Sequence, residues 1–408
     1  MPRNKRLSSS PQLFAAIAAL LPPAYANHLD HVEHLTTLWA GYGNIYRLHF
    51  ASGEEAEEVP SSAVLKWIEP PPSAGEEDED EEEQEGTMRK VLSYKVEANF
   101  YSNLSPKFSS EHHGTPKFLA RPTPFTLLLS DLAAEYELMP TGRQDLTLEQ
   151  ALAGLDAIAR LHACFWNYTV QEGRECHEPR EEMRVLRSGQ QGWQGDGVWK
   201  WGTYNYLQTR QPGLQQIDDR SPFAIFKKDP DLAWAIEDAI QNPEGGVGLT
   251  LVHGDAKAEN MAFHRVATHR VALYDFQYIG VGVPTQDLIK YLCCVVPSRH
   301  LSSQADERAW LSFYHSRLAE HLESYASERG RAPPSTDLQQ EYPLKRLLED
   351  FDLSLLSWVR FTEGWGGGAW GNVRWLHRRA RALLEEPNGQ QWLKGIRSRW
   401  TQKQQSGK

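Results

Sequence analysis

The pattern of apolar and polar positions predicts short strands and amphipathic helices in the first part of the chain. Apolar residues recur at helical spacing between Ser10 and Pro22, which predicts a first helix bounded by a cap and a proline stop. The stretch from His34 to Phe50 places apolar residues on both sides of a Gly-x-Gly turn, which predicts a β-hairpin. The alternating segment from Ser62 to Ile68 predicts a further strand.

Longer periodic segments follow this strand. From Met88 to Leu104, apolar residues fall on one face of a predicted helix, with Glu97 on a neighbouring face. The apolar run from Phe125 to Leu129 predicts a buried strand. The stretch from Leu146 to Trp166 opens with a Thr-x-x-Gln capping pattern at Thr147, which predicts a core helix.

These elements predict an α+β protein in two parts. Residues 1–130 form a small part with several strands and one helix, and residues 131–400 form a larger, mostly helical part. Residues from about 167 to 245 are rich in Trp, Gly, Gln and charge without clear periodicity, which indicates an insertion of helices and loops. Two or three further helices are expected between 301 and 400.

An acidic run lies within residues 70–87, which also contain several prolines. Nine acidic residues stand between Glu76 and Glu85, and they account for most of the net charge of −11, so the rest of the chain carries about −2. Because a run of like charge cannot bury apolar surface, we expect a disordered, dispensable loop; an interaction tail is the alternative. The near-neutral remainder gives no sign of a nucleic-acid partner.

Composition indicates a globular protein without a membrane span. Hydrophobic residues make up 40% and charged residues 24%, and no apolar stretch approaches the roughly 18 residues that a bilayer requires. Four cysteines in 408 residues do not form a disulfide framework, which favours a reducing, cytoplasmic location. The basic N-terminus before the first apolar run also resembles an organellar transit peptide, although the amphipathic helix is favoured.

Two carboxylates at the ends of predicted strands are candidates for catalytic residues. Short apolar strands in the segments 251–263 and 271–279 deliver Asp255 and Asp275, and Asn260 follows the first carboxylate by five residues. Phosphoryl transfer needs a carboxylate to orient the incoming hydroxyl, and oxygen ligands for the Mg²⁺ that bridges nucleotide phosphates. This arrangement therefore favours an ATP- and Mg²⁺-dependent phosphotransferase.

The segment HGDAKAEN, with YDFQ after it, resembles the catalytic and metal-binding motifs of the aminoglycoside phosphotransferase and choline kinase families. The segments YKVEANFYSNL and IARLHACFW look closest to the choline and ecdysteroid kinase-like branch. The resemblance implies a protein-kinase-like bilobal fold. It also implies the following roles: Asp255 as catalytic base, Asn260 and Asp275 as Mg²⁺ ligands, and His253 as a brace for the loop. Lys257 instead matches the lysine that contacts the transferred phosphate in serine/threonine protein kinases, which supports the protein-kinase alternative.

A third element of the motif follows the metal-binding segment. Gly282-x-Pro284-x-x-Asp287 resembles the family segment whose aspartate supports the catalytic loop from a helix start. By this resemblance Asp287 is structural.

The N-terminal part contains a candidate nucleotide-binding pair. Lys66 lies in an apolar strand, where an unpaired ammonium is costly, and Glu97 on the next helix could neutralise it. In a kinase-like site this pair would hold the nucleotide phosphates. The alternative is that Lys66 faces solvent on an alternating strand.

Two backbone segments complete the predicted ATP site. Gly41, Gly43 and Asn44 would form a turn over the phosphates, because glycine lets backbone N–H groups approach. The stretch from Leu129 to Leu132 would be the hinge that offers backbone groups to adenine. Its members are Leu129, Ser130, Asp131 and Leu132.

The acceptor is expected to be a small hydroxyl compound. Four tryptophans near the C-terminus either line an acceptor pocket or, as we favour, pack against the larger part; they are Trp358, Trp365, Trp370 and Trp375. Only nine residues, Tyr278 to Gln286, separate the metal-binding motif from Asp287, and no Ala-Pro-Glu follows, which argues against a protein kinase. A nucleotide-binding pseudokinase or scaffold is the second hypothesis.

Overall fold

The structure is a computed structural model of the 408-residue chain. It describes residues 10–38, 41–51, 59–69, 81–108, 113–139, 146–168, 174–328, 338–366 and 371–406. Within these ranges no helix is both long enough and apolar enough to cross a bilayer.

Strands and helices alternate in the first third of the chain, and helices dominate the rest. The strands are β1 (Leu29–Thr37), β2 (Gly43–Phe50), β3 (Ser62–Ile68), β4 (His113–Gly114), β5 (Phe118–Thr123), β6 (Thr126–Ser130), β7 (Tyr136–Leu138), β8 (Thr250–Val252), β9 (Met261–His264), β10 (Val271–Leu273) and β11 (Gly280–Gly282). The helices are α1 (Pro11–Leu20), α2 (Pro23–Ala26), α3 (Glu81–Asn99), α4 (Ser105–Phe108), α5 (Leu148–Cys164), α6 (Pro179–Arg187), α7 (Leu207–Gln216), α8 (Ile225–Lys228), α9 (Pro230–Gln241), α10 (Thr285–Cys294), α11 (Gln304–Glu328), α12 (Leu338–Glu341), α13 (Leu344–Gly364), α14 (Val373–Glu385) and α15 (Pro387–Ser406).

The chain divides into two compact units. The first comprises residues 1–109, 114–137 and 173–198, and the second comprises residues 110–113, 138–172 and 199–408. The first contains an antiparallel sheet in the order β1-β2-β3-β6-β5. The second is mainly helical. The predicted α+β class, with a small unit rich in strands and a larger helical one, is therefore confirmed.

The core of the first unit lies between α1 and the sheet. Val32, Leu48, Leu65 and Leu128 come from four different strands and are fully buried together with Ile17 of α1. Successive side chains of a strand point to opposite faces, so each strand contributes one apolar face to this core. The predicted first helix, the hairpin and the strand from Ser62 to Ile68 are all confirmed.

Helix α3 begins earlier than the apolar pattern predicts. Its first residue is Glu81, so the prediction of a disordered loop was wrong for residues 81–87, while residues 70–80 lie outside the described part of the chain. The physical reason is Glu85, which is buried and paired with Arg89 on the same helix and with Arg180 of α6 at 2.6 Å. A paired charge can be buried where a run of unpaired charges cannot.

Residues 174–198 pack along α3 and so belong to the first unit. The side-chain amide of Asn99 donates to the carbonyl oxygens of Gly195 and Gly197, each at 3.1 Å, and that of Asn103 donates to the carbonyl of Asp196 at 3.1 Å. The insertion expected over residues 167–245 is thus shared by the two units. The chain division near residue 130 stays a prediction.

The second unit is built around α5, α10, α11 and α13. Helix α5 begins with the predicted capping box, in which Thr147 and Gln150 exchange hydrogen bonds with each other's backbone N–H groups, and it packs on α11. Helix α13 packs against α7, α9 and α10. The expectation of two or three helices between 301 and 400 was wrong, because the chain forms α11 to α15 there. The connections from α12 to α13 and from α14 to α15 are only two residues and one residue long, too short to be recognised by composition.

Candidate active site

The loop after β8 makes a sharp turn that only glycine can occupy. Gly254 has a φ of +81°, and a Cβ atom at this position would collide with the carbonyl oxygen of Tyr278. Strand β8 pairs with β11, and β9 pairs with β10, both antiparallel. These two strand pairs hold the loop that contains His253 and Asp255.

Asp287, in the first turn of α10, fixes the start of this loop. Its carboxylate accepts the backbone N–H of His253 at 2.6 Å and of Gly254 at 2.9 Å, and the ring of His162 contacts it at 3.1 Å. Burial acts to raise the pKa of Asp287, but the hydrogen bond with His162, the nearby imidazoles and the Gly254 N–H outweigh it and lower that pKa. The predicted supporting role of Asp287 is confirmed.

The imidazole of His253 ties the loop to the end of β10. Its Nε2 donates to the carbonyl oxygen of Tyr274 at 3.0 Å, and its Nδ1 accepts the backbone N–H of Asp255 at 3.2 Å. Burial lowers the pKa of His253 despite the surrounding carboxylates. The ring is therefore neutral, with its proton on Nε2, and it braces the loop as the sequence predicts.

Asp255 lies at the centre of a group of polar side chains. Its Oδ1 contacts the ammonium of Lys290, and its Oδ2 accepts from Asn260 at 2.9 Å and from Lys257 at 3.0 Å. Burial acts to raise the pKa of Asp255, but Lys290 and Lys257 outweigh it and hold that pKa well below its usual range. Asp255 is therefore a carboxylate at neutral pH.

Asn260 lies beside this carboxylate, and the pairing of β9 with β10 brings the backbone of Asp275 near Asn260. The Nδ2 of Asn260 donates to both the backbone oxygen and Oδ2 of Asp255, each at 2.9 Å, which leaves its amide oxygen as an acceptor. The backbone N–H of Tyr274 donates to the carbonyl of Asn260 at 3.0 Å and so brings Asp275 to the same place.

The negative charge of Asp275 contributes to the pKa of Lys257. Burial acts to lower the pKa of Lys257, but Asp255, Asp275 and Glu259 outweigh it and raise that pKa.

No group of three or more His, Cys, Asp or Glu side chains suited to a metal is found among the described residues. An amide and a single carboxylate nevertheless fit Mg²⁺, which commonly takes one or two carboxylates and completes its shell with water and phosphate oxygens.

The first unit contains the predicted lysine and glutamate pair. Lys66 on β3 and Glu97 on α3 are both buried, and Nζ of the lysine lies 2.6 Å from Oε2 of the glutamate. The ammonium also lies 5.5 Å from the ring centroid of Tyr94. Burial excludes the alternative in which Lys66 faces solvent.

A family model for the ecdysteroid kinase-like family matches residues 77–327, which is more than half of the 408-residue chain. The chain belongs to the ecdysteroid kinase-like family. The matched range includes Glu97 and the loop from His253 to Asn260, together with Asp275 and Asp287. The resemblance inferred from the motifs is confirmed.

Other comparisons give more distant likenesses to this ecdysteroid kinase-like chain. A macrolide 2'-phosphotransferase from Brachybacterium faecium is 16% identical with a TM-score of 0.40, covering 92% of this chain and 99% of that one. A choline kinase from Cryptosporidium parvum is 10% identical with a TM-score of 0.45, covering 94% and 97%. A Plasmodium vivax ethanolamine kinase is 11% identical with a TM-score of 0.39, covering 91% and 85%. No curated protein sequence matches the chain.

The predicted phosphate turn lies between β1 and β2. Gly41 has a φ of +75°, and a Cβ atom on Gly43 would collide with the carbonyl oxygen of Trp67 on β3. The side chain of Asn44 is engaged within the hairpin, where it accepts from Thr37 at 2.9 Å and contacts His34 at 3.0 Å. Any contact of this turn with phosphate would therefore involve its backbone N–H groups.

The predicted hinge is tied to the rest of the sheet. The carboxylate of Asp131 accepts from Arg47 at 2.7 Å and from Ser62 at 2.9 Å. Ser130 exchanges hydrogen bonds with the backbone of Lys117, donating from its N–H and accepting at Oγ. Leu129 lies within β6, and the carbonyl of Leu132 accepts from Glu135 at 3.2 Å. A role in binding adenine stays a prediction for these residues.

The tryptophans near the C-terminus differ in how deeply they are buried. Trp358 and Trp375 are buried, and Trp375 donates to Glu307 at 3.0 Å, so both pack within the second unit. Trp365 is 42% exposed and lies against Tyr204, with ring centroids 5.6 Å apart. Trp370 lies outside the described residues.

Sequence reasoning missed Lys290, the residue of α10 that contacts Asp255. Lys290 follows Asp287 by three residues, and on a helix this spacing places both side chains on one face. Because Asp287 was expected to face the catalytic loop, the same spacing could have predicted that Lys290 faces it too.

Proposed function

We propose that this protein transfers the γ-phosphoryl group of ATP, with Mg²⁺, to a hydroxyl group of a small molecule. The observation that carries the proposal is the environment of Asp255, a partly buried carboxylate held between two lysines and Asn260. Membership of a kinase-like family supports the same reaction class.

Asp255 would orient the acceptor and take its proton. A carboxylate whose pKa is low is a weak general base, so its main effect would be to align the hydroxyl and to accept the proton as the O–P bond forms. Its position is fixed by the loop contacts of His253 and Asp287. Lys257 would contact the transferred phosphoryl group and offset its charge.

Asn260 and Asp275 would hold Mg²⁺. When bound, the ion would supply positive charge to the nucleotide phosphates during transfer. In the first unit, Lys66 would contact the nucleotide phosphates and Glu97 would fix its position, as their buried ion pair suggests. We assign backbone contacts with ATP to Gly41, Gly43 and Asn44 and to the stretch from Leu129 to Leu132.

A small acceptor is favoured by the short path between Asp275 and Asp287. Three of the nine residues from Tyr278 to Gln286 form β11, which is paired with β8. Few residues are left for the kind of activation segment on which a protein kinase binds an extended peptide. We therefore propose a small alcohol as the acceptor, and we do not favour a protein.

The proposal is tested by incubating the protein with γ-labelled ATP and Mg²⁺. One set of reactions contains a panel of amino-alcohols, sugars and sterols, and the other contains generic protein substrates. We expect label on one class of alcohol. Label on protein alone would contradict the small-molecule assignment, and ATP binding without any transfer would favour a nucleotide-binding scaffold.

A further inference from the structure

We propose that Lys290 positions Asp255 and makes the acceptor site select against positively charged alcohols. The proposal rests on the phosphotransferase function above and adds to it a residue and a charge preference. Neither the sequence motifs nor the family match assigns a role to this lysine.

Lys290 is a buried lysine whose ammonium has a specific partner. Its Nζ contacts Oδ1 of Asp255, and it lies 5.5 Å from the ring centroid of Trp358 on α13. The hydrogen bonds of Asp287, three residues earlier, fix the same helix to the loop that contains Asp255. Lys290 is thus fixed relative to Asp255 by the backbone as well as by the ion pair.

The two oxygens of Asp255 have different partners. Oδ2 accepts from Asn260 and Lys257, whereas Lys290 is the contact recorded for Oδ1 within the described residues. Each carboxylate oxygen can accept two hydrogen bonds, so Oδ1 retains the capacity to accept the proton of an acceptor hydroxyl. An alcohol bound there would lie beside the ammonium of Lys290.

This arrangement sets the charge next to the acceptor. In the proposed reaction Lys257 would turn to the phosphoryl group, and Lys290 would remain as the counter-charge of Asp255. The carboxylate is then neutralised by a residue of the chain and is not available as the partner of a cationic acceptor. An ammonium group placed close to Lys290 would also be repelled by it.

Two aromatic side chains of the second unit, Tyr204 and Trp365, agree with this preference. Aromatic rings that capture quaternary amines do so through their faces. Here the guanidinium of Arg210 lies 3.7 Å from the ring centroid of Tyr204 and 5.0 Å from that of Trp365. The ring of Tyr204 also packs at 5.0 Å on Tyr278, three residues after Asp275. These rings already interact with a cation of the chain itself.

The test compares two acceptors of the same shape, choline and 3,3-dimethyl-1-butanol, which differ by the positive charge. Wild type, Lys290→Met and Lys290→Arg are assayed for label transfer from ATP to each alcohol and to water. Lys345→Met, an exposed lysine on α13, is the matched control, and melting temperatures verify that each variant is folded.

We expect wild type to use the neutral alcohol at least about tenfold more efficiently than choline. Lys290→Met should reduce that preference. It should also lower kcat for the neutral alcohol, or for water, by about tenfold or more at an unchanged KM for ATP. Lys290→Arg should retain most of the activity because it keeps the charge, and Lys345→Met should behave as wild type.

Equal use of the two alcohols, or a preference for choline, would overturn the charge selection and leave the proposed function standing. An unchanged kcat in Lys290→Met would overturn the positioning role. If wild type transferred label neither to water nor to any alcohol of the wider panel described above, the proposed function would fail and this inference would fail with it.

Discussion

Asp275 occupies a left-handed backbone position, with a φ of +65°, that residues with a side chain rarely adopt. Such conformations persist where the surroundings enforce them, often at functional sites. We predict that Asp275→Asn weakens ATP binding in the presence of Mg²⁺ by about tenfold or more, equivalent to about 1.4 kcal/mol, because the proposed ligand of the ion would lose its charge. Calorimetric titration of ATP with Mg²⁺ and with EDTA measures this effect. The same response to Mg²⁺ in variant and wild type would contradict the assignment.

Asp287 stabilises the catalytic loop through its charge, so its effect depends on pH. Its pKa is lowered in the folded state, so its contribution is present above the unfolded pKa of about 3.9 and is lost as the pH falls through the folded pKa. Asp287→Asn should lower the free energy of unfolding by about 3–5 kcal/mol near pH 7, because an amide cannot accept from all of these donors.

The measurement for Asp287 is urea unfolding of both proteins from pH 7 down to pH 3. The difference between wild type and Asp287→Asn should shrink toward the acid end. Asp231→Asn, an exposed aspartate on α9, is the control and should change stability by no more than about 0.5 kcal/mol. A difference that stays constant with pH would show that the carboxylate charge is not what supports the loop.

Candidate site residues that lie close together in the sequence could be predicted to lie close in space, whereas the contact between Lys290 and Asp255 was not predicted. Asp255 and Asn260 are five residues apart on one loop, and a strand pair brings Asp275 beside them, so a short motif specifies their geometry. Lys290 reaches Asp255 only because the turn of α10 that contains Asp287 is bonded to that loop. That contact depends on tertiary structure, which a linear motif does not record.

At the scale of elements, the start of α3 depends on a buried charge. Glu85 pairs with Arg89 and Arg180, so Glu85→Gln would leave two guanidinium groups near an uncharged amide. We predict that this change destabilises the protein by about 3 kcal/mol and lowers its melting temperature. Glu83→Gln lies on the same helix at an exposed position and is the matched control. Equal melting temperatures for the two variants would show that the buried pairing does not matter.

The prediction of a disordered loop over residues 81–87 was wrong because a pattern of charges does not show which charges are buried. A run of acidic residues predicts disorder when each charge is assumed to face water. Whether Glu85 faces water is decided by Arg180, which is far away in the sequence and is placed by the packing of α6 on α3. The helices α1 and α5 were predictable because their caps and apolar faces are local.

At the scale of the whole molecule, the class of the fold was predicted from the sequence, whereas the division near residue 130 stays a prediction. The strands of the small sheet, the helix that contains Glu97 and the helices of the second unit were predicted from the periodicity of apolar residues and from capping patterns. The assignment of residues 174–198 to the first unit was not, because it rests on side-chain amides that bond backbone carbonyls. Such contacts leave no periodic signal in the sequence.

Asp255 is the residue that we propose orients the acceptor hydroxyl for phosphoryl transfer, and its role is tested by measuring ATP turnover and ATP affinity in wild type and Asp255→Asn. We predict that the variant turns over ATP about 10² to 10⁴-fold more slowly while its dissociation constant for ATP with Mg²⁺ stays nearly the same, because Asp255 would orient the acceptor and not the nucleotide. Retained affinity would also show that the variant is folded. Turnover equal to that of wild type would show that Asp255 has no role in the transfer.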